Sequence, residues 1–111
     1  MNPLDYSLCT QTVTVYRKED TGVCRLVLEN CYLEMEVCEH TDVLGKQQAF
    51  RFLLIMPGQE QLVFPGDRIV EGVGAEVEAW AQTNGFAQVE YATLCRWDGC
   101  VCHTEAGRKV R

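Results

Sequence analysis

CYLEMEV, residues 31–37, decides the fold class. Cys31, Leu33, Met35 and Val37 fall on one side of the chain and Tyr32, Glu34 and Glu36 on the other, the period-two pattern of a half-buried strand. Downstream, QQAFRFLLIM at 47–56 sets Phe50, Phe52, Leu54 and Met56 against Ala49, Arg51, Leu53 and Ile55. Both of its faces are mostly apolar, so this strand is expected to be central in a sheet or covered by a second layer. Upstream, TVTVY at 12–16 and VCRLVL at 23–28 are β-branched runs flanking the polar RKEDTG, which reads as an early hairpin.

Further along, VFPGDRIVEG at 63–72 places Pro65 and Gly66 at the central positions of a type II turn, with a strand from Arg68 to Glu71 and a break at Gly72 and Gly74. GAEVEAWAQTNG at 74–85 is ambiguous. Val77, Trp80 and Ala81 fit one face of a short helix over about residues 75–83, stopped by Asn84-Gly85, whereas alternation of Val73, Ala75, Val77 and Ala79 fits a strand. Its Ala, Glu and Gln content favours the helix. QVEYATLCRW at 88–97 is a further strand. The expectation is a mainly β protein, a small antiparallel β-barrel or rolled sheet with one short helix, occupying 1–111 as a single domain.

Composition narrows the function. Hydrophobic residues make up 47% and charged residues 23%, enough to build a core and unlike a disordered chain. A net charge of −6 opposes phosphate binding, and the one basic cluster, Arg108, Lys109 and Arg111, reads as a solvated tail, so specific nucleic-acid binding is not expected. MNPLDYSLC lacks the basic and apolar regions of a secretory signal, and the longest apolar run, FLLIM at 52–56, is far short of the ~20 residues of a membrane-spanning helix. A cytosolic protein without a membrane partner is expected. Its seven cysteines, at 9, 24, 31, 38, 95, 100 and 102, are then free thiols acting as small hydrophobes.

CRWDGCVCH at 95–103 gathers three cysteines and a histidine. Asp98-Gly99 between β-like runs signals a two-residue type I′ hairpin. Counting outward pairs Trp97 with Cys100, Arg96 with Val101 and Cys95 with Cys102, which sets Cys95, Trp97, Cys100 and Cys102 on one face and His103 on the other. A zinc site on Cys95, Cys100 and Cys102 therefore stands only as the lesser alternative, because four converging ligands are wanted and His40 would have to arrive from elsewhere. A Cys95–Cys102 disulfide is conceivable across such a hairpin but out of place in a reducing compartment. Cysteine nucleophilic catalysis is disfavoured by the same count, His40 and Asp42 lie in the loop-like EHTD, and GVGAEVEAW lacks the Lys-Ser or Lys-Thr of a phosphate loop. No catalytic residue, no cofactor and no required metal are expected, and the chain is not read as an enzyme.

Taken in order, TVTVYRKEDTG, CYLEMEV, LLIMPG, FPGDRIVEG, YATLCRWDG and CHTEAGRKV resemble the small minor capsid or head-tail connector proteins of tailed bacteriophages and Firmicutes prophages. The Pro65-Gly66-Asp67 turn leading to Ile69-Val70 and Gly72, and the final hairpin with Trp97-Asp98, His103 and Gly107-Arg108-Lys109, carry most of the likeness. Where relatives often have a longer turn before the histidine, this chain has Trp-Asp-Gly and extra cysteines. The resemblance implies a structural protein, made in the bacterial cytoplasm and then part of the virion, that assembles as a ring with portal, connector or tail proteins as partners. Loops 17–22, 39–47 and 57–66 are the expected contact surfaces. The alternatives are a small β-barrel binding module and, less favoured, a cysteine-based metal protein.

Overall fold

The computed structural model describes residues 5–42 and 45–109, the side chains of 38–42 and 46–49 excepted. The chain is mainly β: among the described residues seven strands form one antiparallel, strongly curled sheet, a half-barrel. They are β1 (Gln11–Glu19), β2 (Gly22–Asp42), β3 (Gly45–Pro57), β4 (Arg68–Glu71), β5 (Ala87–Gln88), β6 (Tyr91–Trp97) and β7 (Cys100–Arg108), in the spatial order β5-β4-β1-β2-β3-β7-β6. Among the described residues no helix is long and apolar enough to cross a membrane.

The curl depends on β2, which serves both halves of the sheet. Its first part pairs with β1 and its second with β3, and the change comes at Asn30, whose φ of 58° marks a bulge opposite Gln11–Val13. Asn tolerates this left-handed conformation better than most side chains. Gln11 Oε1 accepts the Leu33 N–H at 2.9 Å, so a side chain replaces a ladder bond interrupted by the bend.

The concave face holds the core: Val13, Val15, Cys31, Leu33, Phe52, Leu54, Met56, Ile69 and Ala106, closed at one end by Val63, Ala87 and Val89. The alternation expected for CYLEMEV is observed up to Met35 and then outruns the core, leaving Val37 54% exposed. β3 lies between β2 and β7, a central position as its two apolar faces require. β1 is buried on both faces, because residues 72–86 fold over its outer side and cover Thr14 and Tyr16.

That cover also explains why the expected helix over 75–83 is a single 3-10 turn, Trp80–Thr83. The Gly74 carbonyl accepts from Arg25 Nε at 2.9 Å and the Ala75 carbonyl from Tyr16 Oη at 2.6 Å, so acceptors a helix would use internally go to the sheet. Gln82 Oε1 in turn accepts the N–H groups of Glu78 and Ala79, at 2.7 and 2.9 Å. Arg68 fastens the turn by bonding Thr83 Oγ1 and Asn84 Oδ1 while lying 4.4 Å over the Trp80 ring.

The single strand expected over 88–97 is divided. β5 pairs with β4, and β6 pairs with β7, the change being made at Val89 and Glu90, whose N–H groups bond Asp67 O and Gly107 O. The 17–22 segment is mostly ladder, with only Asp20 and Thr21 between Glu19 and Gly22. Of the expected 39–47 loop, β2 continues to Asp42 and β3 resumes at Gly45, and residues 43–44 lie outside the described residues.

Candidate functional site

The β6–β7 hairpin turns at Asp98 (φ 53°) and Gly99 (φ 79°), the two positive values a type I′ turn demands. Trp97 faces Cys100 and Arg96 faces Val101, as counted from the sequence. The next pair departs from that count: Cys95 lies opposite His103, and Cys102 is the extra residue of a bulge. Opposed residues share a face, so the assignment of His103 to the side away from Cys95 is corrected. Simple counting from a turn is blind to an inserted residue.

The thiols are nonetheless dispersed. Cys100 is exposed at the tip beside Trp97, while Cys95 and Cys102 are half-buried. Among the described residues no three His, Cys, Asp or Glu side chains come together as a metal site. Burial pushes the Cys95 thiol up, and Glu105 and Cys102 add to that, the opposite of what activates a nucleophile. Burial also pushes the Cys31 thiol up to about 11.

His103 is held on the outer face by the N-terminal segment. Tyr6 Oη lies 2.7 Å from Nδ1, the two rings meeting edge to face with centroids 5.5 Å apart. Around them Leu8, Cys9, Tyr32 and Ile55 complete a small, mainly apolar hollow. Burial lowers the histidine's pKa, against a weaker opposing pull from Glu105.

The loop after β3 is braced by hydrogen bonds to β1. Phe64-Pro65-Gly66-Asp67 forms the type II turn read from sequence, with Gly66 at φ 94° and the Asp67 N–H on Phe64 O at 3.1 Å. Asp67, 3% exposed, accepts from the Phe64 N–H and binds Arg17 through both carboxylate oxygens, at 3.0 and 2.8 Å. Arg17 also reaches Leu62 O at 3.0 Å and lies 4.7 Å over the Phe64 ring. Asp67 accepts from the N–H three residues before it, not from the one two residues on that an Asp in a turn ordinarily takes, so the turn's sequence did not announce this side of the clamp. No local signal points to Arg17.

A shallow depression of about 500 Å³ crosses β2, β3, β6 and β7 beside Leu53, Tyr91 and Arg108. Among its lining residues Arg51 pairs with Glu36, and Glu105 lies against Tyr91. Comparison of the chain with protein-family models, with curated proteins and with solved structures found no match.

Proposed function

We propose that the chain is a structural component of the head-tail connection of a tailed bacteriophage or prophage, a minor capsid or head-completion protein that adds to the portal end of the capsid. The observation that carries this reading is the order of its motifs, from TVTVYRKEDTG through FPGDRIVEG to CHTEAGRKV, across nearly the whole chain. In this reading portal, connector or tail proteins are its partners, copies assemble as a ring, and the chain performs no catalysis. It works first in the bacterial cytoplasm and then in the virion.

Two physical features suit the role. The turn at Pro65-Gly66 is braced by Arg17 and Asp67, which gives a partner a preformed loop. The charge of −6 keeps free copies apart and holds passing DNA only weakly, as a conduit requires. The test is light scattering of the protein alone and with the portal complex of the same genome. Stable binding to that complex, with the free protein monomeric or weakly associated, is the expected result. High affinity for duplex DNA that collapses with salt, or no binding to the portal complex, would overturn the reading. A monomer that instead takes a small ligand on its outer face would point to the binding-module alternative.

A further inference from the structure

β2 and β3 leave the body of the protein together. Their seven facing pairs from Glu36–Arg51 to Asp42–Gly45 form an arm about 20 Å long at ~3.4 Å per residue. β1 pairs with β2 no further than Cys31, and β7 pairs with β3 no closer to the tip than Phe52. Among the described residues, therefore, no strand lies along either edge of the arm, and such edges are templates for further pairing. The face continuing from the core carries half-buried Met35 and Phe50 and exposed Val37.

From this geometry we infer that the arm is an interface with a second copy of this chain, in which the β2 edge of one copy pairs with the β3 edge of the next. Two facts select this occupant and this pairing. β2 and β3 are already antiparallel, so a neighbour in the same orientation presents its β3 antiparallel to the first copy's β2 and the ladder continues without reversal. Charge selects among the possible edge pairings: Glu34 and Glu36 are exposed on β2, whereas Arg51 is exposed on β3 and already bonds Glu36 within the chain. A β2–β2 contact sets these acids against each other, while β2–β3 contact in the register of the intrachain ladder places Glu36 beside the next copy's Arg51.

The normal twist of roughly 20–25° per strand turns each copy by about 40–50° relative to the last, which swings the bodies apart as the arms stack. The pairing is head to tail, so it propagates and closes into a ring only when rotation returns the last copy to the first. The inference deepens the ring reading but stands on the arm alone, and it is tested without any other component.

Sedimentation velocity of the isolated chain over a rising concentration series, at low salt, should show a weight-average mass that increases reversibly. A doubly exchanged variant, Glu36→Arg with Arg51→Glu, should self-associate about as well as the parent, because both the intrachain and interchain pairs are restored. An equimolar mixture of the two, at the same total concentration, should associate about half as much as either alone, since each mixed contact sets like charges together and only like copies pair. Stronger association in the mixture would show a β2–β2 contact and overturn the inference, as would a parent protein that stays monomeric at every concentration. Val37→Lys, at a site already exposed, covers the case in which the exchanged variant fails to fold: it should weaken parent-like association several-fold, and unchanged association would count against the arm.

Discussion

Arg17 and Asp67, fifty positions apart, are joined by two hydrogen bonds that fix the loop after β3 to the end of β1. The Asp67 carboxylate raises the Arg17 pKa chiefly through that hydrogen bonding. Asp67→Ala removes both bonds and also leaves the Phe64 N–H without its acceptor. Arg17 still reaches water, with a third of its side chain exposed, so the cost falls below that of breaking a fully buried pair. A loss of about 2 kcal/mol is expected, seen as a Tm lower by roughly 10 °C in a thermal melt. An unchanged Tm would show that the clamp is incidental to stability.

Gly74 lies flat against Tyr16. A Cβ built there would stand 2.2 Å from Tyr16 Oη and 2.6 Å from Val70 Cγ2, so Gly74→Ala must displace the segment that covers β1. The expected cost is about 1–3 kcal/mol, as for overpacking elsewhere in proteins. Tyr16→Phe, which deletes the bond to Ala75 O, makes room for part of the added methyl. The double variant should therefore lose less than the sum of the two single losses in chemical denaturation. Strict additivity would mean that the two groups do not meet.

Period two found the later half of β2, and β3, with their two faces, while β-branched composition around a polar turn found β1 and the start of β2, and the Pro65-Gly66 turn announced β4. The turns were legible where their chemistry is restrictive, at Pro65-Gly66 and Asp98-Gly99. What escaped depends on distant partners. The helical composition of 75–83 yields to carbonyl bonds with Tyr16 and Arg25, which no local pattern announces. The Cys95–His103 pairing depends on one inserted residue, and Arg17 looks like any polar residue at a strand end. The Tyr6–His103 contact joins positions 97 apart and was equally silent in sequence.

The cysteines should separate by reactivity. Cys100 is exposed and Cys31 is buried with its thiol pushed up to about 11, so alkylation of the folded protein near neutral pH should modify Cys100 first and Cys31 among the last. Mass spectrometry of a quenched time course gives the order. After denaturation without reductant, freshly prepared protein should yield all seven thiols. Recovery of only one would reveal three bridges and an oxidising compartment. Melting curves with and without a strong chelator should coincide, and a large drop on chelation with about one equivalent of bound zinc would instead favour the metal alternative.

His103 should give the protein a pH dependence of definite sign. Its folded-state pKa is lowered from 6.5 by burial, so the unfolded chain takes up a proton at a pH where the folded protein still resists it. Stability from this residue is therefore complete above about 6.5 and declines as pH falls from there through the lower folded-state value. Tyr6 Oη lies within hydrogen-bond distance of Nδ1, and protonation makes both ring nitrogens donors while placing a charge beside apolar Ile55 and Leu8. His103→Gln removes the titration, so the Tm difference between parent and variant should shrink as pH is lowered through this window. Carboxylates elsewhere titrate in both proteins and cancel to first order in the difference. A histidine Cε1 resonance assigned through the variant should titrate with a midpoint below 6.5 in the folded protein. A midpoint above that value, or a Tm difference that widens on acidification, would show that the Glu105 carboxylate outweighs burial at this position.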